Sequence, residues 1–417
     1  MKKIVILLTL LIPLVDSMAQ HTGSQANYAP DPRASYVVSD WLGKGLWQGK
    51  GRIIIGSDGN EHDNDDWAAT PLSAAILASQ GLQDRVVAYI YSNHIWHSNH
   101  YYSNAYDVMK EGAEGIRDWF GYDPEISKFF AAIDDPELAY NTVRDAVLES
   151  SADNPLFLMA GGPMQVEGEG LSRAAAIDNS KLQYCTLISH SDWNDTHSDN
   201  PESWESPKHS GWTLTKIRNA CTNASMPGGG LKYAMILNQN GVNGNGTGWY
   251  LAIKADKSYF TWVQNSPEKD KAPYYKTGSW DYLWSRMQLY INSRGSLFDA
   301  SDAGMPLWFV TGIEATSPQL LRSVMENPQP RVSAMPTSIK NPQADLFEIR
   351  QDPVTGDIRI NASEAPKRLS LYNITGQKIA EVYKTATFYT ASLPKGSYIL
   401  KIETNTGKSE SYKFIKK

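Results

Sequence analysis

Cysteine is nearly absent from this chain of 417 residues: Cys185 and Cys221 stand alone. Two thiols cannot build a disulfide framework, and with no CxxC or Cys/His spacing around them they make no zinc knuckle. Their separation leaves a single Cys185–Cys221 bridge open. Long apolar runs are lacking as well. The longest, Ile4 to Val15, falls short of the roughly 20 residues that a membrane span needs, so no span is expected. Preceded by Lys2-Lys3 and followed by Ser17-Met18-Ala19, it has the layout of a secretory signal, and residues 1–20 are assigned to one. Positive charge is scarce where nucleic acid would need it. The net charge is −6, with +4 on residues 345–417 and about −11 on residues 21–344. A main body of that sign repels phosphate backbones, which excludes a nucleic-acid polymer as partner. The Gly-rich run Asn238–Gly248 lacks the Gly-Lys-Ser/Thr end of a phosphate-binding loop.

What the chain has in excess is aromatic: 13 Trp and 22 Tyr, with every Trp between Trp41 and Trp308. Most such rings fill core, and a minority lining a cleft would stack on sugar rings. Between residues 36 and 320, Arg52–Ile55, Arg85–Tyr91, Leu156–Met159 and Tyr184–Ser189 read as strands, while 66–80, Asp107–Phe120 and 171–179 read as helices. This alternation predicts an α/β fold, a mostly parallel sheet with helices on both faces. Ligands in such sheets bind beyond the carboxyl ends of the strands, so the residues just after each strand carry the functional reading.

Residues 21–325 form the expected catalytic domain. Beyond them Asn327-Pro328-Gln329-Pro330, Pro336 and Asn341-Pro342 space a polar connector, and 326–344 is read as a linker. Short alternating runs separated by Asn/Gly turns follow, which predicts a small C-terminal antiparallel β-sandwich over 345–417. Within it, Leu369-Ser370-Leu371-Tyr372-Asn373, Gly376-Gln377, Leu393-Pro394-Lys395-Gly396-Ser397-Tyr398 and the terminal Lys413-Phe414-Ile415-Lys416-Lys417 resemble the C-terminal sorting domain of the type IX secretion system of Bacteroidetes. The resemblance implies the type IX secretion machinery as partner, export across the outer membrane, and secretion or surface attachment.

After the first strand, Asp58, Glu61, Asp63, Asp65 and Asp66 place five carboxylates within nine residues. Their mutual repulsion calls for a cation, and oxygen donors of this kind suit Ca²⁺. The same stretch resembles the nucleoside hydrolase superfamily, whose signature is a strand, Asp-x-Asp, a short turn and an Asp-Asp pair opening a helix. Asp58 matches the second Asp, and Asp65-Asp66 the pair. Gly161-Gly162-Pro163-Met164-Gln165 resembles the turn whose backbone carbonyl completes the calcium shell, and Ser301-Asp302 the closing ligand. The resemblance thus implies Asp58, Asp66, Gln165 and Asp302 as metal ligands. Three departures bear on the nucleobase pocket: Gly56 replaces the first Asp, six residues separate Asp58 from the Asp pair, and Ser301 replaces a His.

The residues predict a chemistry. Asp58, beside a metal that holds sugar hydroxyls, would take a proton from an attacking water, and attack without a covalent intermediate inverts the anomeric centre. Asp63, His94 and Asp192 are the further acid–base candidates, and Trp67, Trp96, His97, Trp193 and Asn194 the candidate substrate contacts. A zinc site on His94, His97 and His100 is an alternative use of the first His-rich loop, although this spacing lacks the helical HExxH geometry. The expectation is a secreted glycosidase acting on a polysaccharide, with a marine galactan such as agarose as the example. A nucleoside ribohydrolase and a non-catalytic, calcium-dependent sugar-binding protein are the alternatives.

Overall fold

A computed structural model describes residues 36–60, 64–96, 102–201, 205, 209–240, 253–294, 297–333, 348–351, 355–361, 366–373, 377–405 and 409–416. Its contacts divide the chain into two units, Met1–Thr337 and Ser338–Lys417. Among the described residues no helix is long and apolar enough to cross a membrane.

The first unit runs α1 (Val38–Trp41), β1 (Arg52–Gly56), α2 (Asp66–Ser79), β2 (Val86–Tyr91), α3 (Ala105–Trp119), β3 (Lys128–Ala131), α4 (Pro136–Leu148), β4 (Leu156–Ala160), α5 (Gln165–Asp178), β5 (Cys185–Ser189), α6 (Asp192–Thr196), α7 (Leu214–Cys221) and β6 (Lys232–Met235). A small antiparallel pair, β7 (Lys254–Asp256) with β8 (Leu297–Asp299), then accompanies α8 (Trp262–Asn265), α9 (Ser279–Arg294), α10 (Gly304–Thr311) and α11 (Pro318–Met325). The first six strands make one parallel sheet in the order β3-β2-β1-β4-β5-β6.

Period-two burial explains how both faces are covered. On β1, Ile53 and Ile55 join Tyr89, Met159 and Ile188 in a core shared with α2, α3, α9, α10 and α11. Ile54 points the other way, to Ile90, Leu158 and Leu187 in a core shared with α4, α5 and α7. A sheet buried on both faces reads as continuous apolar sequence, which is why β1, β2, β4 and β5 are legible. The edge strands β3 and β6 are only partly buried, and their diluted pattern gave no signal. Helix α5 starts at Gln165 rather than near residue 171, because glycines thin its helical signal. Packing requires them: a Cβ on Gly168 would stand 2.2 Å from Trp212 Cβ, and one on Gly170 2.4 Å from Val143 Cβ of α4.

The second unit contains the sheets β13-β10-β9 and β12-β11-β14-β15, with β9 (Glu348–Gln351), β10 (Ile358–Asn361), β11 (Arg368–Asn373), β12 (Lys378–Tyr383), β13 (Thr387–Phe388), β14 (Gly396–Glu403) and β15 (Ser409–Lys416). Every pairing is antiparallel, and Ile358, Ile360 and Phe388 of one sheet share a core with Leu369, Leu371, Leu400, Ile402 and Phe414 of the other.

The disulfide left open by the sequence does not form. Cys185 and Cys221 are free thiols buried in the second core. Burial pushes them up to about 11 and about 12, so neither is reactive.

Arg52 fastens the start of β1 to the end of α4. Its side chain is 3% exposed, and its guanidinium donates to Glu149 Oε2 at 2.5 Å, to the Ala146 carbonyl at 2.7 Å and to Ser150 Oγ at 3.3 Å. A cation at a helix carboxyl end is favourable, and its removal strands both a carboxylate and a carbonyl. Arg52→Ala, which strands the Ala146 carbonyl and Glu149, and Glu149→Ala, which leaves a buried guanidinium without its counter-charge, are each expected to destabilise the first unit by up to about 5 kcal/mol; denaturant unfolding of the two variants checks both.

Candidate functional site

The strand order places one crevice above all others. Successive strands run from β1 outward to β2 and β3 on one side, and to β4, β5 and β6 on the other, so the loops leaving β1 and β4 part at their carboxyl ends. Backbone bonds extend the pairing past the strands: Ser57 N donates to Ile90 O, Asn93 N to Ser57 O, and Gly161 N to Gly56 O. The loops therefore start from fixed positions.

Asp58 after β1, Asp66 at the first turn of α2 and Asp302 just before α10 meet in this crevice, with one carboxylate oxygen of each within 4.8 Å of the others. Asp58 and Asp66 are 5% and 3% exposed. The amino ends of α2 and α10 supply positive dipole ends toward the carboxylates. Burial, then the charges of Asp58 and Asp302, push Asp66 well above the usual carboxylate range, and Asp66 shares a hydrogen bond with Asp58. Asp66 Oδ1 is buried without a hydrogen-bond partner. Glycines leave room around the cluster. A Cβ on Gly161 would lie 2.7 Å from Asp302 Oδ2, and one on Gly162, at φ +125°, 3.0 Å from Asp58 Cβ.

Two buried groups support this cluster. His190, after β5, accepts from Gln239 N on Nδ1 at 3.1 Å, which fixes its proton on Nε2, and Nε2 donates to Asp302 Oδ1 at 2.5 Å. Glu167 of α5 is 1% exposed, and its Oε1 lies 2.4 Å from where a Cβ on Gly56 would stand. Thus the position that lacks the expected Asp is filled by a carboxylate from another helix. Ser301 Oγ reaches Asp65 Oδ2 at 3.1 Å and Asn240 Oδ1 at 2.8 Å.

The remaining expected residues scatter. Trp67 is 6% exposed, packs edge-on against Tyr102 and donates from Nε1 to Gly59 O at 3.1 Å, holding the turn after β1. Asn194 is buried and donates to Ala160 O at 3.0 Å, tying α6 to the end of β4. Asp192 is exposed in the first turn of α6. The Gln165 side chain, as distinct from the backbone carbonyl that the resemblance implies as ligand, turns to Trp212 N at 2.8 Å, beside a cleft of about 560 Å³ lined by Glu169, Gly211, Trp212 and Lys216. His94, Trp96 and Trp193 belong to a second buried cluster, with His197, Glu205 and His209. Asp63 and His97 lie outside the described residues.

Comparison with known proteins adds the compartment. Residues 351–417 match the family model described as a secretion system C-terminal sorting domain. The chain carries a type IX sorting domain. It indicates secretion or cell-surface localisation, and with it the secretion machinery as partner. An uncharacterized protein of Formosa agariphila is 27% identical over 271 residues, covering 63% of this chain and 84% of the relative.

Sequence reasoning missed Glu167, Glu205 and His209. Glu205 and His209 sit in an aperiodic, proline-broken stretch, yet their i, i+4 spacing downstream of His197 was a signal. Glu167 gave none, since nothing in the sequence says that α5 turns it toward Gly56.

Burial raises Glu167 from its ordinary 4.5 to about 7. Below 4.5 the folded and unfolded chains both hold the proton; between 4.5 and about 7 only the folded chain holds it. Stability therefore falls as pH rises through that window and stays lower above it. Glu167→Gln should match the wild type near pH 4 and exceed it at pH 8 by up to about 3 kcal/mol, as read from unfolding curves with chelator present; equal slopes for both proteins would remove the titration from Glu167.

Proposed function

We propose that the α/β unit is a secreted, calcium-dependent glycosidase that cleaves a polysaccharide at the crevice between β1 and β4. The observation that carries this reading is the buried convergence of Asp58, Asp66 and Asp302. An all-oxygen donor set suits a hard cation, and the partnerless Asp66 Oδ1 is a donor of the kind such an ion takes. Bound there, Ca²⁺ would orient sugar hydroxyls and make a coordinated water easier to deprotonate.

The chain's own groups divide the remaining work. Asp58 is the base that accepts the proton of the attacking water. His190 fixes the orientation of Asp302 by its Nε2 hydrogen bond. The lack of a Cβ at Gly161 and Gly162 lets the Asp302 and Asp58 side chains sit close against this turn. Export through a dedicated sorting domain supports a substrate too large to enter the cell. Asp58 as base, with attack by water, no covalent intermediate and a proton delivered to the leaving oxygen from the opposite face of the sugar, gives inversion.

A nucleoside ribohydrolase is the second reading, favoured by the placement of Glu167. Its Oε1 restores a carboxylate beside Gly56, where the nucleoside hydrolase pattern has one.

The mature chain offered agarose, other polysaccharides, inosine and uridine, with and without chelator, separates these readings. Cleavage of a polymer is expected as new reducing ends that vanish with chelator. Asp58→Asn is expected to lower the rate by about 10²–10⁴-fold with the fold intact. Free base without reducing ends on any polymer selects the nucleoside reading. Calcium-dependent retention on a polysaccharide without turnover makes the protein a lectin and sinks the glycosidase.

A further inference from the structure

The second cluster is chemically unlike the first. His94 follows β2, His197 follows α6, and Glu205 and His209 lie between α6 and α7. Ligand atoms of all four lie within 4.8 Å of one another. His94 Nε2 stands 3.2 Å from His197 Nε2, and the two rings stand 2.9 Å and 2.8 Å from Glu205 Oε1. His209 Nε2 stands 3.1 Å from Glu205 Oε2. The side chains of His94, His197, Glu205 and His209 are 0%, 2%, 0% and 3% exposed.

Proton placement argues for an ion at the centre. His209 Nδ1 lies 3.0 Å from the Ser198 carbonyl, an acceptor, so the ring proton belongs on Nδ1 and the Nε2 lone pair faces Glu205. Lone pair against carboxylate is repulsive unless a second ring proton or a metal ion lies between them. At the other carboxylate oxygen, two ring nitrogens converge on one acceptor and on each other. The separations match a shared centre: two ligands 2.0–2.1 Å from a tetrahedral zinc stand roughly 3.3 Å apart. The Ser198 carbonyl is the kind of outer partner that fixes a ligating histidine. Two indoles lock the rings further. Trp96 stacks on His209 at 3.7 Å and 2°, and Trp193 on His197 at 4.0 Å and 18°.

We propose that His94, His197, Glu205 and His209 form a structural zinc site that ties His197, Glu205 and His209 to the end of β2. Three imidazoles with one carboxylate suit Zn²⁺ rather than Ca²⁺. Four protein ligands in a buried site leave no open position for a substrate, so the ion fastens loops rather than performing chemistry. Asn60 links this staple to the crevice side of the sheet by donating to the His94 carbonyl at 3.1 Å.

Metal analysis of the full chain, purified without chelator and dialysed against metal-free buffer, tests the site. About one zinc per chain is expected, and Co²⁺ replacing it should show the intense visible absorption of four-coordinate cobalt. Glu205→Gln and His209→Ala should each weaken zinc binding roughly ten-fold or more. Asp66→Asn should leave zinc content unchanged, which separates this site from the carboxylate cluster. Added zinc should raise the melting temperature of the stripped wild type, and added calcium should not reproduce that shift through this site in Asp66→Asn. Wild-type chain with below roughly a tenth of an equivalent of zinc and no four-coordinate cobalt spectrum overturns the proposal, whether or not the variants fold. Zinc content unchanged in both ligand variants overturns it equally.

Discussion

Three carboxylates within 4.8 Å of one another, nearly shut off from water, cannot all stay ionised without a counter-charge. In the chain by itself this conflict is relieved by a proton: Asp66 is held well above the usual carboxylate range and hydrogen-bonds to Asp58. Much of the surrounding structure serves to keep the three groups together despite their repulsion. The parallel sheet fixes the end of β1, the amino ends of α2 and α10 face the acids, and His190 holds Asp302. Glycine at positions 161 and 162 leaves the space that a bulkier backbone would fill. A cation in place of the proton would remove the conflict, and these three carboxylates are a set that could hold one.

Sheet topology lets one edge carry two sites of different donor chemistry. The loop after β1 contributes oxygen donors to the crevice, while the loop after β2 sends His94 to a nitrogen-rich cluster. Hard and borderline cations sort between such sets by ligand type. The loops are still mechanically joined, through Asn93 N on Ser57 O and Asn60 on the His94 carbonyl.

The sheet and the first carboxylates were legible in the sequence for the same reason. Central strands buried on both faces leave apolar runs that end abruptly, and the acidic stretch starting at Asp58 follows one of them directly. Edge strands β3 and β6, half-buried, left no such trace. Asp302 was found by resemblance, whereas Glu167 was not, because its role depends on the angle at which α5 crosses β1. The packing of α5 rests on Gly168 against Trp212 and Gly170 against Val143, contacts between residues far apart in the chain. The histidines were visible as a group but not as a partnership, since Glu205 and His209 join them across more than a hundred residues from His94.

The aromatic excess also takes a different meaning once its members are placed. Trp67 is core and pins the Gly59 turn, Trp41 and Trp280 are fully buried, and Trp96 and Trp193 each give one face to a histidine ring. A ring whose face is covered cannot stack on a sugar with that face. Tryptophan count is therefore weak support for a polymeric substrate, and the argument for one passes to export by the sorting domain and to the carboxylates. What the indoles do at the site is mechanical. By clamping His197 and His209 they restrict the rings to orientations in which Nε2 points at Glu205, and a donor set held in place before any ion arrives loses less entropy on binding it.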